Sequence, residues 1–184
     1  AFTVTFWFKR DREMEAIPTN HQIDNLMLAQ SSSYDNDNIE IGSEGTEIEI
    51  YLDSGNGGED QTYTTSGASI SNGSWHHLTV TYGNGLRVYV DGIERLNQSP
   101  YSGPLDSSQD SPLSLGMGRI FSDQWGDFNG SIDDFRIYDI EMNSTLVSAL
   151  YNSGLGDFGN SGLSTYVSDR VEFWKDQSVN ERHA

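Results

Sequence analysis

From its second residue the chain alternates: Phe2, Val4, Phe6 and Phe8 share one side of an extended segment, and Thr3, Thr5 and Trp7 share the other. A period of two marks a strand with one buried face. The same period returns at Ile39 and Ile41, at Ile48, Ile50 and Leu52 between Glu47, Glu49 and Tyr51, from Trp75 to Tyr82, from Leu86 to Val90, at Leu113, Leu115 and Met117, and from Ile132 to Tyr138. Short turns separate several of these runs, Ser43-Glu44-Gly45, Gly83-Asn84-Gly85 and Asp91-Gly92, which predicts antiparallel hairpins. The polar stretch from Lys9 to Asp24, the segment from Ser31 to Asn38 and the glycine-rich run from Asp53 to Asp60 have no period and read as loops around the short apolar run Leu26 to Ala29 and the strands. Helical spacing occurs at Leu146, Val147, Leu150 and Tyr151, with Asn143 as the N-cap and Gly154 as the stop. Strands without any βαβ alternation predict an antiparallel β-sandwich with one short surface helix.

Composition narrows the partners. The 184 residues suit one large all-β domain, or one domain with an appended segment. Ten basic residues against 28 acidic ones give a net charge of −18, a field that repels phosphate backbones and anionic headgroups and so excludes nucleic acid and membrane surfaces as partners. That much carboxylate fits a calcium-rich or saline medium, and it equally serves solubility. With no cysteine, disulfides, thiolate metal sites and cysteine nucleophiles drop out. No apolar run is long enough for a leader or a spanning helix, and the chain opens inside a strand, which reads as a piece of a longer protein.

Three segments carry a family resemblance: Phe2 to Lys9; Gly73 to Tyr82 with Leu86 to Gly92; and Phe128 to Tyr138 followed by the helix ending Ala149-Leu150-Tyr151-Asn152. Together they resemble the laminin-G-like, pentraxin-like jelly rolls of the concanavalin A-like lectin/glucanase superfamily over residues 1–155. The resemblance implies a jelly-roll sandwich, and a superfamily that includes lectins, adhesion modules, glycosidases and polysaccharide lyases. It also implies that Trp75 and His76 are structural parts of the hairpin. Members of the family usually have one more strand ahead of the Phe-Thr-Val-Thr segment. The tail from Val171 to His183 resembles the opening strand and turn of another such domain, so residues 156–184 read as a linker and the start of a following repeat, or as a strand returning to the same domain.

Candidate chemistry falls into three groups. For calcium, the oxygen-rich turns Asp35-Asn36-Asp37-Asn38 and Asp123 to Asn129 offer hard ligands; the resemblance assigns the ligand roles to Asp37 and Asp127, with Asp133 as a competing structural site. For sugar, an exposed aromatic flanked by amides and carboxylates is needed, and Trp125 with Asp123 and Asn129, or Tyr34 with Asp35, meets that description, while Trp7 and Trp75 are assigned to the core or its edge. For catalysis, the nominees are the same-face pair Glu47 and Glu49 and the constellation Arg87, Tyr89 and His77, with His76 read as a hydrogen-bonded core histidine. The resulting expectation is a secreted or surface-displayed, non-catalytic recognition or adhesion module that binds a polysaccharide with calcium in a rim loop. The alternatives are a structural or assembly domain that meets neighbouring repeats or subunits, and a polysaccharide lyase or glycosidase.

Overall fold

A computed structural model of the chain describes residues 1–13, 25–31, 37–53, 61–98, 105, 113–116 and 128–154. In chain order the elements are β1 (Phe2–Arg10), β2 (Leu28–Ser31), β3 (Asp37–Glu44), β4 (Glu47–Leu52), β5 (Gln61–Thr64), β6 (Trp75–Tyr82), β7 (Leu86–Val90), β8 (Ile93–Gln98), β9 (Leu113–Leu115), β10 (Gly130–Tyr138) and α1 (Ser144–Gly154). They form two five-stranded sheets, β10-β1-β6-β7-β8 and β5-β4-β3-β2-β9, in which every described pairing is antiparallel. The fold is the expected concanavalin A-like β-sandwich.

Alternation on the two inner faces builds the core. Val4, Phe6 and Phe8 meet Leu78, Val80, Val88 and Val90 from their own sheet and Leu28, Ile39, Ile41, Ile48, Ile50 and Leu52 from the other. Each such side chain contributes about 1.5–3 kcal/mol on leaving water. The β1–β10 ladder is interrupted once: pairing passes from Thr5↔Arg136 to Trp7↔Asp133, so Asp134 and Phe135 together oppose Phe6. This bulge, with Asp134 at φ 52, returns Phe135 to the interior, 6.1 Å from the Phe6 ring.

Some boundaries differ from the sequence pattern. β1 runs on through Lys9 and Arg10, and Ser31 belongs to β2. The strands β5 and β8 lack a clear apolar period because they are edge strands with largely exposed side chains. The β3–β4 turn falls at Gly45-Thr46, one residue later than expected, because Gly45 takes the left-handed conformation at φ 57.

Arg10 joins the sheets at one end of the sandwich, donating to Ser43 and Gly45 of the second sheet's β3–β4 hairpin. At that same end Phe128 N–H bonds Gly116 O at 3.1 Å. The helix starts as expected, with Asn143 Oδ1 accepting from Leu146 N–H at 3.0 Å. Its buried face, Val147 and Leu150, packs with Tyr89, Tyr138 and Met142 on the outer face of the first sheet. The Thr3 hydroxyl anchors the approach to α1, donating to Ile140 O at 2.7 Å and accepting from Met142 N–H at 3.0 Å.

Candidate functional site

The outer face of the first sheet carries the residues that alternate with the core. Across β10, β1 and β6, Trp7 is flanked by Asp133 and His77, and Lys9 by Ser131 and Trp75. The last turn of α1 lies over the Trp7 row. Tyr151 stacks on Trp7 with ring centroids 5.8 Å apart and planes at 27°, and His77 is enclosed between Trp7 at 5.1 Å and Tyr151 at 5.9 Å. One row further on stand Lys9 and Trp75. Trp75 is 45% exposed there, with the Lys9 ammonium 5.8 Å from its ring centre.

The exposed Trp75 thus stands one row from the stacked pair Trp7 and Tyr151, with Lys9 over its ring and the exposed Asp133 opposite Trp7. This corrects the assignment of Trp75 to the core or its edge. The side-chain period places it on the outer face with His77 and Thr79, where it is exposed. Sequence reasoning passed it over, although the parity that sends Phe8 and His76 inward sends Lys9 and Trp75 outward.

The two histidines are structural. His76 Nε2 accepts from Ser71 N–H at 3.2 Å, so its proton sits on Nδ1 and is donated to Asp91 Oδ2 at 2.8 Å. Asp91 Oδ1 accepts from His77 N–H at 2.8 Å. Burial works to raise the Asp91 carboxyl, but the hydrogen bonds from His76 and the His77 amide outweigh it and hold it below its usual value. Burial drives His77 down from 6.5 to about 4, leaving a neutral ring whose Nε2 meets Thr5 Oγ1 at 2.8 Å.

The other nominated catalytic groups are engaged. Burial, with a hydrogen bond to Glu94, raises the Tyr89 phenol to about 12, and Arg87 Nη1 donates to Glu141 Oε1 at 2.6 Å. Arg87, Tyr89, Glu94, Glu141 and Asn143 line an open depression of about 360 Å³ beside the start of α1, while His77 lies apart from it beneath the helix. Glu47 accepts from the Thr65 hydroxyl at 2.7 Å and from the amides of Gly67 and Ala68 at 3.0 Å each, tying down the 65–68 segment. Glu49 is buried beside Thr64, 3.4 Å from its hydroxyl. The two-residue spacing that paired these glutamates in the sequence leaves them in different surroundings.

A laminin G model of the concanavalin A-like lectin/glucanases superfamily matches residues 1–148. The chain belongs to this superfamily. No curated protein matches this laminin-G-like domain by sequence. Among solved structures it resembles domain 4 of AbnA, an extracellular GH43 arabinanase from Geobacillus stearothermophilus in complex with arabinotriose, with 18% identity and a TM-score of 0.58 over 82% of this chain and 66% of that one. It also resembles the binding domain of Paraclostridial Mosquitocidal Protein 1, with 21% identity and a TM-score of 0.58 over 83% of this chain and 37% of that one. The SAP-like pentraxin of Limulus polyphemus matches with 15% identity and a TM-score of 0.57 over 82% of this chain and 69% of that one. At these identities the likeness is one of fold, and the domain spans only part of each neighbour's length.

Of the site residues expected from sequence, Tyr34, Asp35, Asp123, Trp125 and Asp127 lie outside the described residues, as does the 156–184 segment. Asp37 opens β3 opposite Ser31. Asn129 accepts Asp11 N–H on its backbone carbonyl at 2.8 Å. Asp133 Oδ1 accepts from the Asp134 amide at 2.8 Å, and among the described residues no three His, Cys, Asp or Glu side chains converge as metal ligands. The described residues that flank the two acidic runs leave the second sheet at opposite ends: Ser31 and Asp37 at one, Gly116 at the other, where Phe128 bonds it. Among the described residues no helix is long and apolar enough to cross a membrane.

Proposed function

We propose that this laminin-G-like domain is a non-catalytic, secreted or surface-displayed module that binds a neutral polysaccharide by stacking a sugar ring on the exposed Trp75. The observation that carries the reading is the exposure of Trp75 beside a rigidly held aromatic neighbour. A pyranose or furanose ring presents an apolar C–H face to such a surface, and its hydroxyls need the acceptor that Asp133 offers and the donor that Lys9 offers. A net charge of −18 disfavours acidic polymers.

Three further facts support a binder rather than an enzyme. Two nearby carboxylates are committed to internal bonds, Asp91 to the histidines and Asp134 to Arg136. His77 is buried and neutral. Several solved neighbours are described as binding domains, including a putative carbohydrate binding protein from Bacteroides ovatus and the receptor binding domain of botulinum neurotoxin D.

Calcium enters as a separate proposal. Hard oxygen ligands concentrate in the runs holding Asp37 and Asp127, and because the residues flanking these runs leave the second sheet at opposite ends, each run would hold an ion by itself, with Asp133 as the competing structural site. Trp125 with Asp123 and Asn129, and Tyr34 with Asp35, form additional sugar contacts in this reading.

A glycan array followed by calorimetry on the best hit tests it, with wild type, Trp75→Ala, and wild type in chelator. The expected result is binding by wild type and a loss of about tenfold or more in Trp75→Ala. Binding and melting temperature that ignore chelator would remove calcium from the proposal. Absence of binding to any neutral glycan would favour an assembly role, and turnover of a polysaccharide would favour an enzyme.

A further inference from the structure

The depression beside the start of α1 lies on the same sheet face as Trp75. Arg87 sits opposite Thr81, six residues along β6 from Trp75 and so roughly 20 Å away along the strand. The volume of about 360 Å³ is that of a small-ligand pocket. Its charged groups are held in place and keep bonding capacity. Glu141 receives Arg87 Nη1 at 2.6 Å on Oε1 and the Asn84 amide at 2.8 Å on Oε2. Glu94 receives the Tyr89 hydroxyl at 3.1 Å on one oxygen and Asn97 Nδ2 at 3.0 Å on the other. A carboxylate offers about four acceptor positions and a guanidinium five N–H donors. Each Glu94 oxygen can therefore accept again, and Arg87, which gives one N–H to Glu141, can donate again. Both side chains reach solvent, Arg87 at 24% and Glu94 at 40% exposure.

We propose that this depression is a second carbohydrate subsite, which takes a neutral sugar residue through its vicinal hydroxyls and acts independently of Trp75. Arg87 Nε stands 3.9 Å from Glu94 Oε2, a donor and an acceptor side by side. One hydroxyl of a diol donates to the carboxylate while its neighbour accepts from the guanidinium. Met142 lines the same depression and supplies the apolar contact that a sugar's C–H groups need. One guanidinium against two carboxylates repels an anionic ligand. The ligand class rests on the polysaccharide reading above, and the position does not. With two sites on one face, a polymer that engages both is held more tightly than either site holds it alone.

Amide NMR spectra of the full chain, titrated with arabinotriose, xylotriose and cellotriose to about 10 mM, test the proposal, since millimolar affinity is visible there. At least one of these sugars is expected to shift the Arg87, Glu94 and Asn143 amides, equally in wild type and in Trp75→Ala. Glu94→Ala removes the acceptor, and Ser144→Phe fills the depression without altering a charged group. Each is expected to weaken binding at the depression by about tenfold or more while any response at Trp75 and Lys9 persists. Unchanged β1 and β6 resonances certify the fold of every variant. Shifts at Trp75 and Lys9 with none at the depression would overturn this subsite and leave the Trp75 reading standing, whereas shifts at the depression alone would do the reverse. No shift at either place would overturn both. A response at the depression that survives Glu94→Ala and Ser144→Phe would also overturn the subsite.

Discussion

Arg10 at the end of β1 donates from Nη1 to the Ser43 hydroxyl of β3 at 3.0 Å, and this contact joins the two sheets through a buried guanidinium. Nε reaches Asn72 Oδ1 and Nη2 reaches the Gly45 carbonyl, each at 2.7 Å. Replacement by alanine leaves three acceptors short of a donor, for an expected loss of about 2–4 kcal/mol in denaturant unfolding. Arg10→Lys is expected to recover little of it, because one ammonium cannot reproduce the planar fork. Equal stability of Arg10→Ala and wild type would show that the guanidinium contributes nothing net.

Burial makes His77 an acid-sensitive point. Its folded pKa of about 4 lies below the ordinary 6.5, so the unfolded chain takes up the proton first as pH falls. The stability associated with the neutral ring is present in full above about pH 6.5, declines between there and pH 4, and is gone below; a shift of that size corresponds to about 3 kcal/mol. Asp91, held below its usual value, adds a further loss at still lower pH. Melting temperatures measured from about pH 7.5 down to pH 4.5 are expected to fall in wild type and to flatten in His77→Phe. A His77→Phe profile parallel to wild type would assign the acid sensitivity elsewhere.

Gly130 is required by space. A Cβ at this position would lie 2.1 Å from the Lys9 carbonyl oxygen and 2.8 Å from the Phe128 ring. Gly130→Ala must push β10 off β1, and the expected cost is about 1–3 kcal/mol. Calorimetry that shows no change would mean the β1–β10 junction yields freely.

Trp7 and Trp75 share a sheet face but differ in what covers them. Trp7 is enclosed by Tyr151 and His77, so Trp7→Ala is expected to cost about 3 kcal/mol. Trp75 stands in solvent under Lys9, so Trp75→Ala is expected to stay within about 1 kcal/mol of wild type. Unfolding curves for the two variants check the contrast, which also underlies the use of Trp75→Ala as a folded binding-defective protein.

Much of this architecture was legible along the chain. The alternation of Phe2, Val4, Phe6 and Phe8 with Thr3, Thr5 and Trp7 determines which side chains enter the core, because successive residues of a strand point to opposite faces. Asn143 four residues ahead of Val147 marks the start of α1, because the amides of a first helical turn need an acceptor.

Other features depend on partners distant in sequence. The bulge at Asp134 appears only when β10 is laid against β1, and the role of Arg10 only when Ser43 and Gly45 arrive from the other sheet. Parity alone treats Trp7 and Trp75 alike. Tyr151 of α1 covers the one while the other faces water, and the helix is held over the sheet by Val147 and Leu150 packing on Tyr89 and Tyr138. Local alternation thus determined the faces, since it is a property of neighbouring bonds, while exposure and the candidate sugar surface were decided by long-range packing.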